Sequence, residues 1–166
     1  MVLLPNNKNI VPTAEQVHEL VEAEVHVVPT TTIAAGLATM VGFDAEGETE
    51  EVVKEMHEIA DSLRSAEITR SVRDARVGDR EVPEGRYMGI LDGELVAVEA
   101  GVEEAALRLA EEMVGEADVV TLLGGEELDE EMLQRIAEGI RSLDSVAEVE
   151  VRAGGQPLYP LQMVAE

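Results

Sequence analysis

The 166-residue chain has no cysteine and no tryptophan, and its only aromatic residues are Phe43, Tyr87 and Tyr159. Without thiols it forms no disulfide, no thiolate zinc site and no cysteine nucleophile. With so few rings it lacks the stacking surfaces on which single-stranded nucleic acids are usually held. Basic residues are scarce as well: 12 Lys and Arg stand against 36 Asp and Glu, a formal net charge of −24. Nucleic-acid binding depends on basic side chains that displace counterions, so nucleic acid is not an expected partner. An anionic membrane surface is disfavoured by the same repulsion. No apolar run approaches the roughly 20 residues that cross a bilayer. No basic start followed by an apolar run marks a signal peptide. The expectation is a soluble, cytoplasmic protein without membrane insertion.

What the chain does have is aliphatic bulk, 45% apolar by count, so its core must be built from Val, Leu, Ile, Ala and Met. The length suits a single α/β domain over residues 1–166, with a division into two subdomains near 80–100 as the alternative. The acidity favours a basic protein partner, because opposite potentials steer encounter. Solubility alone explains it equally well.

The opening, VLLPNNKNIVPTAEQ, reads as strand, polar turn and helix. Asn6, Asn7 and Asn9 suit such a turn, since their amides bond nearby backbone and tolerate left-handed geometry. Lys8 among them could meet an anion at a helix start, or simply belong to a well-capped turn. The next helix is expected over Thr13 to Ala23. Thr13 and Gln16 have capping-box spacing, and a start nearer Asn9 is the alternative. Val25 to Val28 then repeats the logic: a short strand, Pro29, the polar Thr30, Thr31 and Thr32, and an apolar helix over Ile33 to Val41 whose Gly36 admits close packing.

Glu50 to Ser65 is a strongly amphipathic helix. Ala66 to Val77 alternates like a strand and is punctuated by Arg70, Arg73 and Arg76. Six of the 12 basic residues fall between Arg64 and Arg86. They form either a recognition strip for an anion or acidic partner, or a surface that neutralises its own acids. Val82 to Gly85 reads as a turn. Asp92-Gly93, between Tyr87–Leu91 and Glu94–Val98, signals a hairpin. Val102 to Val114 and Leu128 to Leu143 are helices; Asp118 to Leu123, Ala147 to Arg152 and Leu161 to Val164 are strands. The alternation predicts an α/β fold, a mostly parallel sheet flanked by helices on both faces, with a central hairpin and an antiparallel portion.

Catalytic signatures are missing. There is no GxxxxGK loop, no GxSxG elbow and no HExxH. His18, His26 and His57 are scattered without metal-ligand spacing, so no catalytic residue and no metal site is assigned. Four loops stand out: Pro5 to Asn9, Pro29 to Thr32, Gly124 to Glu126, and Gly154 to Pro160. The first three each follow a strand and precede a helix, which places them along one sheet edge as an Asn/Thr/Gly crevice suited to binding. Gly124-Gly125 and Gly154-Gly155 could turn amides toward an anion or simply make tight turns.

LLPNNKNI, AEQ, VVPTTTIAAGLATM, ITRSVRDA and GGQPLYP, in that order, resemble the C-terminal region of the bacterial fatty acid kinase A-subunit family, whose N-terminal domain is dihydroxyacetone-kinase-like. The resemblance covers nearly the whole chain and implies a DegV-like fold. It implies that ATP and magnesium are bound by the family's N-terminal domain, with no cofactor in this chain. It also implies two partners: the fatty-acid-binding, DegV-like B subunit, and the remaining domains of a parent kinase that phosphorylates the bound fatty acid to an acyl phosphate. From these loops and the basic strip, ligand or partner binding is expected at Asn6, Asn7, Lys8, Asn9, Thr30, Thr31, Thr32, Arg70, Arg73, Gly154, Gly155, Gln156 and Tyr159. Where the family more often reads PTKTIPQG this chain reads PTTTIAAG, so Thr31, Ala34 and Ala35 replace a lysine, a proline and a glutamine. The chain thus reads as a non-catalytic fragment that docks the B subunit. The alternatives are a fatty-acid- or anion-binding domain, a dihydroxyacetone-kinase-like domain, and an assembly domain. The kinase-like alternative calls for a pocket histidine to capture a carbonyl, and the three histidines lie on helix and strand bodies.

Overall fold

The structure, a computed structural model, describes residues 1–113, 119–143 and 148–166. It divides into two compact units, Met1–Leu63 and Arg64–Glu166. The division falls earlier than the 80–100 region expected from sequence. The central hairpin pairs into the same sheet as the strand that begins at Arg64, so no break can lie between them.

The first unit is built on two short parallel strands, β1 (Val2–Leu3) and β2 (His26–Val27), each running into a proline. Helix α1 spans only Val11–Glu15 and passes into a 3-10 turn at Gln16–Glu19. Ile10 precedes it without a side-chain cap, and Pro12 occupies its first turn, where a missing N–H costs nothing. Thr13 is therefore inside the helix, and the capping box with Gln16 does not form. Helix α2 covers Ile33–Thr39 and tightens into a 3-10 turn at Met40–Gly42. Helix α3, Thr49–Ser62, turns Val52 and Met56 inward against Val28, with Val2, Leu4 and Ala60 at the margin.

The second unit is a six-stranded sheet in the order β7-β6-β3-β10-β8-β9. Its strands are β3 (Arg64–Arg70), β6 (Tyr87–Leu91), β7 (Glu94–Glu99), β8 (Val119–Gly124), β9 (Glu148–Ala153) and β10 (Leu161–Ala165). A separate small hairpin is formed by β4 (Ala75–Val77) and β5 (Arg80–Val82), and the turn expected over Val82 to Gly85 follows it at Glu84 and Gly85. The α/β class and the central hairpin are as read from sequence, and Asp92 and Gly93 both take positive φ, 50° and 85°, in its turn. The expectation of a mostly parallel sheet is corrected. Only β8 and β9 run parallel; the ladders β7/β6, β6/β3, β3/β10 and β10/β8 are antiparallel. The last strand enters the middle of the sheet against the direction of both neighbours, and all five of its residues are buried.

Helices α4 (Val102–Met113) and α5 (Glu130–Arg141) pack on the same face. There Ala66, Ile68, Val120, Leu122, Leu161 and Met163 meet Leu109, Met113, Ile136 and Ile140. Strand alternation sends Glu67, Thr69 and Gln162 to the other face. Asp129 caps α5, its carboxylate accepting the Met132 N–H at 2.8 Å. The expected Val114 helix end, the Asp118 strand start and the Ala147 strand start lie outside the described residues.

Candidate functional site

The four distinctive loops come together as two pairs, one in each unit. In the first unit the turn after β1 meets the turn after β2. Asn6 sits at φ 55°, the left-handed conformation its amide tolerates. Its N–H donates to Thr30 Oγ1 at 3.2 Å, and the Thr30 hydroxyl donates back to Asn6 Oδ1 at 2.7 Å. The reciprocal pair is half-buried, with Thr30 itself 2% exposed. Gly36 completes it: a Cβ there would stand 2.0 Å from Asn6 Oδ1, so the amide occupies the space a side chain would take. The close approach expected at Gly36 is thus to a side chain rather than to another backbone.

The other residues of that pair have local tasks. Asn7 Oδ1 accepts the Asn9 N–H at 2.9 Å, an Asx turn. Thr32 caps α2, accepting the Ala35 N–H at 3.1 Å. Lys8 and Thr31 are exposed.

In the second unit the Gly124–Glu126 turn is laced to the loop before β10. Gly154 and Gly155 N–H both donate to Gly124 O, at 2.8 and 2.9 Å. Gly125 N–H donates to Pro160 O at 2.8 Å, and Glu126 N–H to Gln156 O at 3.1 Å. Gln156 Nε2 donates to Leu123 O at 2.9 Å and Tyr159 O at 3.2 Å, while its Oε1 is buried without a partner. A Cβ on Gly125 would fall 2.3 Å from Tyr159 O, so the two segments meet at backbone distance. The amides of Gly125, Gly154 and Gly155 all serve carbonyls, as tight turns require.

Leu158 stands out at the tip of this loop. It is 80% exposed at φ 73°, and Tyr159 N–H closes onto Pro157 O at 2.9 Å. That is the positive-φ γ-turn, a rare and strained form. Thr69 Oγ1 donates to Leu158 O at 3.3 Å, which ties the loop to the end of β3. Glu67, two residues back on the same face, and then burial push the Tyr159 hydroxyl above its ordinary pKa of 10.0. Arg70, next along β3, stacks over the Tyr87 ring at 5.8 Å and donates to Gly85 O at 3.3 Å. Arg73 is exposed, and its carbonyl accepts the Ser71 hydroxyl at 2.6 Å. The basic strip is largely occupied by its own surroundings. Arg64 pairs with Asp92 at 3.1 Å and also donates to Glu112 O at 2.8 Å at the end of α4; Arg76 pairs with Asp79 at 3.8 Å.

Sequence reasoning missed Glu67 and Thr69. Period-2 spacing on a strand already read as such could have placed them on one face. Two open clefts border the small hairpin, lined by Arg80, Val96 and Arg108 in one and by Ala75, Arg76 and Val82 in the other, with Glu81 in both. Among the described residues no group of three His, Asp or Glu side chains is placed to hold a metal ion. No helix among them is long and apolar enough to cross a membrane.

The chain has a DegV-like α/β fold. A DegV family protein of Corynebacterium glutamicum superimposes with a TM-score of 0.67 at 13% identity, covering 99% of this chain and 74% of that one. The fatty acid kinase (Fak) B3 protein of Streptococcus pneumoniae, solved loaded with linoleic acid, gives 0.64 at 14% identity, covering 99% and 70%. The chain belongs to the FakA-like C-terminal family, the C-terminal domain of fatty acid kinase A-like proteins, whose model matches residues 1–166. Protein YloV of Bacillus subtilis is 33% identical over 165 residues, 99% of this chain and 30% of that protein. An uncharacterized protein of Staphylococcus epidermidis is 31% identical over 159 residues, 95% of this chain and 29% of that one. The chain thus spans about a third of the length of these relatives.

Proposed function

We propose that this chain is the docking domain of a fatty acid kinase A-like protein, and that it holds the fatty-acid-loaded, DegV-like B subunit for phosphorylation by other domains of the parent. The observation that carries this reading is the family match along the entire chain. The gain from such a domain is effective concentration and orientation of the bound acid, with the bond chemistry, ATP and magnesium left to the kinase domain. The net charge of −24 gives the encounter an electrostatic component toward a basic surface.

Calorimetric titration of the chain, at two salt concentrations, with a lipid-loaded B subunit tests the reading. Micromolar or tighter binding that weakens with salt is expected. Absence of binding at both concentrations would remove it.

A second reading, that the chain itself takes a fatty acid, draws on the shared fold with a structure solved with linoleic acid. Saturable binding of a fluorescent fatty acid by the isolated chain is its expected signature.

A further inference from the structure

Helix α2 and its 3-10 extension are inside out. Ala34, Ala35, Gly36 and Thr39 face inward, while Ile33, Leu37, Met40 and Val41 are 38%, 57%, 42% and 83% exposed. These four positions, i, i+4, i+7 and i+8, form one stripe of the helix surface. Phe43, the single phenylalanine of the chain, follows in sequence and is 43% exposed. Isolated exposed apolar residues are ordinary on a soluble protein, but a contiguous patch marks a surface that another molecule covers. The inward side has a local cause: the Asn6 amide against Gly36 leaves no room for bulk. The outward side has none, because nothing in the packing of α2 requires Ile, Leu or Val where Glu or Lys would be solvated.

Charge decides what the stripe meets. No Lys or Arg occurs between Lys8 and Lys54, and the exposed Asp44, Glu46 and Glu48 follow the stripe directly. A second copy placed face to face would bring these acids against their own kind. An anionic lipid surface is repelled likewise. What fits is a protein surface with an apolar centre and a Lys/Arg rim. We infer that the outward face of α2, with the acids that follow it, is the surface on which the fatty-acid-binding subunit docks. This rests on the docking reading above and assigns it a face.

The test compares the whole 166-residue chain with L37S/V41S and with E46K, titrating each, in low and in high salt, with the lipid-loaded B subunit. Leu37 and Val41 are exposed, so the double variant is expected to keep the wild-type circular dichroism and melting temperature. It should bind at least 30-fold more weakly. E46K should bind several-fold more weakly with a shallower salt dependence. Wild-type binding that survives L37S/V41S within threefold overturns the face and leaves the docking reading standing. No wild-type binding at either salt overturns both. Self-association of the wild type that L37S/V41S abolishes overturns the assignment in favour of a second copy.

Discussion

Asn6 shows how much one residue can be asked to do. It supplies a left-handed backbone, one half of a reciprocal bond with a buried threonine, and the filling of a gap over a helical glycine. These roles separate experimentally. Asn6→Gly keeps the φ and loses the amide, so it should cost about 1 kcal/mol, one net hydrogen bond. Asn6→Ala adds the left-handed penalty for a Cβ, about 1 kcal/mol more. Gly36→Ala should destabilise the wild type, because its methyl displaces the Asn6 amide. In an Asn6→Gly background the space is free and the same change should be neutral or stabilising through helix propensity, worth up to about 1 kcal/mol. Urea denaturation of the four proteins closes the cycle.

Tyr159 offers a second probe at this scale. Its raised pKa means the folded chain holds the phenolic proton more tightly than the unfolded one. The associated stability is therefore complete below pH 10 and is lost as pH rises through the folded value. Glu67→Gln removes the leading cause and should move the Tyr159 titration down toward its ordinary value. With two tyrosines and no tryptophan, ultraviolet titration of the chain reads this directly.

Among the elements, the helices differ in how firmly their ends are fixed. Helix α5 has an aspartate cap, Glu130 and Glu131 in its first turn and Arg141 in its last, all complementing the helix dipole. Asp129→Ala should cost about 1 kcal/mol in thermal or urea unfolding through loss of the cap. Helix α1, five residues long and without a side-chain cap, has little of this support. Its shortness explains why the expected helix over Thr13 to Ala23 did not form. Val17, Leu20 and Val21 share a helical spacing, yet Leu20 is 81% exposed, so the periodic signal had no core to bury against. The long helices α3, α4 and α5 were legible because their apolar stripes are buried.

For the molecule as a whole, self-repulsion among 36 acids is the main electrostatic cost of folding. Surface charges beyond roughly 10 Å are screened at 0.1 M salt, so added sodium chloride should raise the melting temperature. Scanning calorimetry across a salt series checks this. A midpoint that stays flat would mean the acids are locally compensated, as Arg108 is by Glu111 and Glu112 at 2.9 and 2.7 Å.

The sequence by itself determined the α/β class, the central hairpin, the long amphipathic helices and the polar character of the loops, because these depend on periodicity and turn chemistry within a few residues. The Asx turn of Asn7, the left-handed Asn6 and the cap at Thr32 belong to the same short-range set. Strand direction, the insertion of β10 between β3 and β8, and the joining of loops 24 and 33 residues apart in sequence were decided by tertiary structure. An apolar run reads the same whichever way its neighbour points, and a terminal strand carries no mark of a central place. The exposed stripe on α2 was also beyond the sequence. Its apolar residues look like any buried helix until the fold shows that the small ones face in.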